Sequence, residues 1–226
     1  MIAALLGGGA LAGYLFWRHV WFFRNPERAP PGAEGLLSPA DGTVVYVKKV
    51  APGEDVVVIK QGLSATVKDI MREDFDQAKL VIGIFMSPFD VHYNRAPLAA
   101  KIGFVHRHPA SGGNAFMTEM HWRSVLGLSP RYAGSVHIVQ NERAVTQFVG
   151  SYRGEPLAAY VVQIGARTVN GIESYYAPGQ SVARAATFGM IRVGSQVDLI
   201  LPWREGFEVL AQEGDRVVAG ETILVR

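Results

Sequence analysis

From residue 36 to the C-terminus, apolar residues arrive in short β-type runs broken by glycine, proline and aspartate, and helical periodicity is hard to find. "TVVYVKKV" and "EDVVVIK" flank "APG" and read as a hairpin, while "KLVIGIFM" is apolar throughout and reads as a buried strand. "AVTQFVGSYRGEPLAAYVVQIGA" gives two strands around the turn "RGEP"; "MIRV", "VDLIL", "FEVL" and "ETILVR" follow. Residues 64–78 have room for one short helix or a loop, and 109–133 looks irregular. The expected class is mainly β (α+β at most), with two antiparallel sheets packed face to face.

The first residues differ from the rest. "MIAALLGGGALAGYLFW" carries no charge, and Arg18, "HVWFF" and Arg24 follow. Seventeen helical residues span roughly 25 Å, just short of the ~30 Å hydrocarbon core. Two membrane readings are open: a minimal transmembrane helix with its arginines on the cytoplasmic side, or a helix lying in the interface with its aromatics at headgroup depth. A cleavable signal fits less well, because no basic residue precedes the apolar run; a buried core helix is the bland alternative. The expected organisation is an anchor over 1–23, a Pro/Gly-rich linker over 24–35 ("RNPERAPPGAEG") and a β domain over 36–226. The 226 residues include no cysteine, which excludes thiolate metal sites, cysteine nucleophiles and disulfides. The net charge is +2, with basic residues scattered rather than clustered, so nucleic acid is a poor partner.

Four short motifs carry the chemistry: "SPADG" (38–42), "SPFDVHYNRAP" (87–97), "QNER" (140–143) and "RVGS" (192–195). Each alone is weak, since Ser-Pro and Asp-Gly are ordinary turn chemistry, and Gly-Ser also occurs at 134–135 and 150–151. Gly194-Ser195 differs in context, because it interrupts apolar β-type sequence on both sides. A glycine there marks a bulge or a backbone approached closely, and the serine after it places Oγ over the Gly194 carbonyl. That is the arrangement for an N-to-O acyl shift, in which a chain cuts itself.

Together with "WFFRNPER", "NER", "QIGARTVNGIE" and "GMIRVGSQVDLILP", these motifs resemble a phosphatidylserine decarboxylase proenzyme of the short prokaryotic type, in the family's order from about residue 21 to 202. The resemblance implies self-cleavage between Gly194 and Ser195 into a large chain (1–194) and a small chain (195–226). Ser195 would become an N-terminal pyruvoyl group, a covalent cofactor that condenses with the amine of phosphatidylserine and accepts the electrons released as carbon dioxide leaves, giving phosphatidylethanolamine. It further implies a place at the cytoplasmic face of the cell membrane, and leaves room for a homo-oligomer. Three places depart from the family pattern: Gln196 stands where threonine is common, Arg95 fills the place of a second motif histidine, and 106–124 lacks the expected tyrosine and proline.

A serine hydroxyl needs a base. His92 with Asp41 could provide it, the imidazole taking the proton and the carboxylate orienting the ring; His92 is also the candidate proton carrier for decarboxylation. Arg95 is a candidate for the lipid phosphate or serine carboxylate, with a surface ion pair as the bland reading. Asn141, Glu142 and Arg143 suit a turn near the site. His106 and His108 would share a face of a strand, but no third ligand is evident, so no metal is expected; His121 and His137 carry no readable signal. Against the enzyme stands a membrane-anchored adaptor or carrier, since "SPADGTVVYV" and "QEGDRVVAGETILVR" also resemble lipoyl/biotinyl-type β sandwiches. No Met-Lys pair marks a carrier lysine. Pyruvoyl chemistry on a soluble amino acid, or an uncleaved relative, are further alternatives.

Overall fold

A computed structural model describes residues 2–167, 171–192 and 194–226, with side-chain burial from residue 7 onward. Val193 of "RVGS" and residues 168–170 of "QIGARTVNGIE" lie outside the described residues.

The expectation of antiparallel β structure holds, in a different arrangement. One eight-stranded sheet dominates, in the order Ser181–Val182, Ala100–His108, Arg143–Tyr152, Glu155–Gly165, Ser195–Pro202, Lys79–Met86, Gly42–Val50 and Arg216–Val217, every neighbour antiparallel. Its edge strands have two residues each, which leaves little unpaired backbone for another chain to join. A three-stranded sheet (Ile172–Ser174, Thr187–Ile191, Tyr93–Arg95) covers one face through a shared core in which Phe148 meets Phe188 edge-on. On the other face lie the hairpin Asp55–Lys60/Leu63–Thr66 and short helices at Val67–Met71, Thr118–Val125 and His137–Gln140. Two equal sheets are therefore not the solution. The central strands are apolar on both sides, so both faces need a cover: Val197, Leu199 and Leu201 enter one core and Ile200 the other.

Local and distant pairings fared differently. The hairpin around "RGEP" forms with Tyr152 opposite Glu155. Arg153 and Gly154 both have positive φ (53° and 79°), as a two-residue turn matched to strand twist requires. The hairpin expected across "APG" does not form. Gly42–Val50 pairs with Lys79–Met86, and Asp55–Lys60 with Leu63–Thr66. Val67–Met71 is the short helix foreseen in 64–78, started by a capping box of Thr66 and Asp69.

At the N-terminus a 15-residue helix, Ile2–Phe16, runs into a wider turn, Trp17–Trp21. Among the described residues no helix is long and apolar enough to cross a membrane. Residues 24–35 lie along the β domain: Arg184 donates to the carbonyls of Pro31, Ala33 and Gly35, and Arg28 pairs with Asp41.

Candidate active site at the change of sheet

The run "GMIRVGSQVDLILP" is not one strand. Thr187–Ile191 belongs to the three-stranded sheet and Ser195–Pro202 to the eight-stranded one, so the chain changes sheets at the glycine. Gly194 has φ +69°, a conformation that costs other residues energy. Its carbonyl accepts a hydrogen bond from the Ala166 amide at 3.1 Å. Ser195 follows at once, fully buried, paired on one side with Gly165 and on the other with Met86. Its hydroxyl lies 3.3 Å from the Met86 sulfur.

The other motifs gather near this point. His92 is fully buried, and the Phe22 ring lies 4.4 Å from its own. Its Nδ1 is 3.0 Å from the Asp90 carbonyl oxygen, which can only accept, so Nδ1 carries the proton and Nε2 keeps a lone pair with no partner among the described residues. Burial pushes the imidazole down to about 4, against the raising pull of Asp90, so the ring is a neutral base at ordinary pH. The backbone ties it to the serine segment, with the Ile191 amide donating to the His92 carbonyl at 3.2 Å. Asn94 donates to the Pro39 carbonyl of "SPADG" at 3.3 Å and accepts from Gln163 at 2.8 Å. Its amide also sits 3.8 Å from the Met86 sulfur.

Asp41 takes a different partner from the one expected. Its carboxylate binds the Arg28 guanidinium at 2.7 Å and the Ala219 amide at 2.8 Å, while His92 is oriented by the Asp90 carbonyl instead. Burial lifts the Asp41 carboxyl above its ordinary range, with Ala219 and Arg28 pulling it back. Asp90, one step along the motif, is held low by Arg216 and Ser87 despite its burial. Arg95 donates to the Ala185 and Pro26 carbonyls and to Asn25, so its guanidinium clamps the 24–35 segment. "QNER" is a brace: Asn141 donates to the carbonyl of Gly165, the pairing partner of Ser195, at 2.7 Å. Arg143 is fully buried and spends its donors on the carbonyls of Asp69, Ile70, Ile138 and Asn141.

Several site residues escaped the sequence reading. Behind Ser195, on the opposite face of its strand, His137 binds the Gln196 side-chain oxygen at 2.9 Å. Gln196 in turn donates to Tyr46 at 2.7 Å and to Asp198 at 2.9 Å, and Tyr46 donates to Asp198 at 2.8 Å. Gly83 makes room for Tyr46, since a Cβ there would lie 2.4 Å from its ring. Burial pushes Asp198 up to about 7, with Gln196 and Tyr46 pulling it back. The signal was a lone aspartate and tyrosine inside apolar strands. A cavity of about 210 Å³ borders Gly194, lined also by Phe85, Pro88, Phe116, Met117, Thr118, His121 and Ala166. His121 and Phe116 thus join the site from the segment that looked irregular. His106 pairs with Glu73 away from this cavity.

This arrangement suits acyl transfer within the chain: a buried serine after a glycine of unusual conformation, a carbonyl already held by an amide, and a neutral imidazole in the same motif cluster. The family model for phosphatidylserine decarboxylase matches residues 15–225. The phosphatidylserine decarboxylase proenzyme of Ruegeria pomeroyi is 32% identical over 94% of this chain and 80% of its own length. Proteins of the same name from Symbiobacterium thermophilum and Citrifermentans bemidjiense are each 32% identical, over 97% and 91% of this chain and 83% and 75% of theirs. The chain belongs to the phosphatidylserine decarboxylase family.

Proposed function

We propose that this protein cuts itself between Gly194 and Ser195 and then decarboxylates phosphatidylserine to phosphatidylethanolamine at a membrane surface. The observation that carries the reading is the change of sheet at Gly194, which sets one peptide link at the junction of two β layers. In the cut, the Ser195 hydroxyl attacks the Gly194 carbonyl carbon and the peptide C–N bond gives way to an ester. The Ala166 amide, 3.1 Å from the carbonyl oxygen, is placed to stabilise the charge that develops there. Loss of the residue-195 Cα proton then expels the Gly194 carboxylate, and water releases ammonia from the new chain end.

The residues around position 195 fit a pyruvoyl group. The position is buried, the preceding Gly194 borders a cavity that reaches the surface, and the same motif cluster holds a histidine whose Nε2 has no partner among the described residues. Such a group supplies an electron-withdrawing carbonyl that takes up the electrons freed when carbon dioxide departs. His92 holds a lone pair ready for proton transfer, kept neutral by its burial under Phe22. Asp41, through Arg28, fixes the 24–35 segment over the motifs, and Arg95 clamps the same segment.

Residues 1–23 are read as the membrane contact. Fifteen helical residues span roughly 22 Å, and Leu11, Tyr14, Phe16, Val20 and Trp21 are exposed, which suits a helix lying at the interface on the cytoplasmic side. Family membership does not favour the adaptor alternative. The test is the intact mass of freshly purified protein, with Ser195→Ala beside it. Two fragments in the first and one full-length chain in the second are expected, followed by release of carbon dioxide from phosphatidylserine. A wild-type chain that stays whole would sink the cleavage reading.

A further inference from the structure

Helix Thr118–Val125 turns one buried side chain, Met120, to the core. The helix also bends Arg123 along the surface to the Pro130 carbonyl at 2.9 Å and toward the exposed Glu119 at 3.7 Å. Its outward stripe is apolar: Trp122, Val125 and Leu126, spaced i, i+3, i+4, are 55%, 61% and 64% exposed, and Leu128 continues it. Single exposed apolar residues are ordinary; a contiguous set asks for a partner.

What lies beside the stripe identifies that partner. His121, next to Trp122 in sequence and in ring contact with it, lines the cavity at Gly194, as does the exposed Phe116. Across the same cavity Pro88 leads to Phe89, exposed and packed on Trp17 of the N-terminal segment. The apolar rim therefore runs from the N-terminal aromatics, past the cavity, to this helix. Guanidinium groups sit on its aromatics: Arg24 lies 4.4 Å from the Trp21 ring and donates to the Phe89 carbonyl, and Arg167 lies 5.2 Å from Phe116. Apolar side chains flanked by arginines are the pattern of a surface that dips to headgroup depth while its cations meet phosphates.

We infer that Trp122, Val125, Leu126 and Leu128 form a second membrane-seating element, which with the N-terminal segment brackets the cavity at Gly194 and holds it against an anionic lipid bilayer. This rests on the lipid-decarboxylation reading above. The test uses the full-length protein, with Trp122→Glu/Leu126→Glu compared against Val58→Glu, an equally exposed apolar site on the hairpin Asp55–Lys60/Leu63–Thr66. Sedimentation with phosphatidylcholine vesicles containing phosphatidylglycerol is measured, alongside decarboxylation of vesicle phosphatidylserine and of a short-chain phosphatidylserine kept monomeric. Expected is at least a tenfold loss of vesicle binding and of kcat/KM on vesicles for the double variant only, with the monomeric substrate turned over at the wild-type rate. Equal loss on both substrates, no loss on vesicles, or conversion of a wild-type dimer into a monomer by the double variant would each overturn the inference, the last by showing a second copy on the stripe. If no form acts on short-chain phosphatidylserine, the functional reading fails, while vesicle sedimentation still decides the membrane surface.

Discussion

Replacing His137 by glutamine is expected to flatten the rise of stability with pH below neutrality. Burial lowers this imidazole from 6.5 to about 4, against the pull of its bond to Gln196. Between those values the unfolded chain binds a proton that the folded chain refuses. The contribution is thus whole above 6.5 and drains away as pH falls toward 4, at about 1.4 kcal/mol per pH unit and about 3 kcal/mol in all. Asp198 works in the opposite sense. Its carboxyl is raised from 3.8 to about 7, so the folded chain holds the extra proton, and the contribution present at low pH is lost as pH rises toward 7. Urea unfolding from pH 4.5 to 7.5 in a Ser195→Ala background keeps every sample as one chain. There His137→Gln should lower the slope of unfolding free energy against pH by roughly one proton, and Asp198→Asn should raise it by the same amount. Unchanged slopes in both variants would refute the assignment of a neutral imidazole and a protonated carboxyl to this network.

Gly194→Ala places a side chain at φ +69°, a strain of about 1–2 kcal/mol; the two fragments should appear several-fold more slowly on a denaturing gel, with the fold intact by circular dichroism. Gln196→Leu strips His137, Tyr46 and Asp198 of a shared partner. At about 1–3 kcal/mol per buried group left unpaired and about 2–4 °C per kcal/mol at this size, thermal unfolding should fall by at least several degrees.

What could be read from the sequence follows the range of the interactions. The Arg153-Gly154 turn is dictated by local sterics, and the hairpin around it formed as expected. The "APG" hairpin failed because Gly42–Val50 found its partner in Lys79–Met86, a pairing no local signal announces. Gly194-Ser195 was legible as an interruption, but its meaning, a transfer between layers, needed the sheet order. The Asp41–His92 pairing was inferred from residue types alone, and the fold gave Asp41 to Arg28. Helix Thr118–Val125 read as irregular because its eight residues are too few for a helical period to declare itself in the sequence. The Tyr46–Gln196–Asp198 cluster was hidden for a related reason: polar atoms inside apolar strands show only what they lack, until the neighbouring strands bring the partner.

The strand that begins at Ser195 lies between Lys79–Met86 and Glu155–Gly165, with backbone pairing to both. Severing the link ahead of it frees no piece, because the 32 residues that follow stay threaded through the middle of their former neighbour. Native size should not register the cut. A separately made C-terminal fragment added to folded material would find its slot occupied or collapsed, so under the proposed self-cleavage the active species is born as one polypeptide.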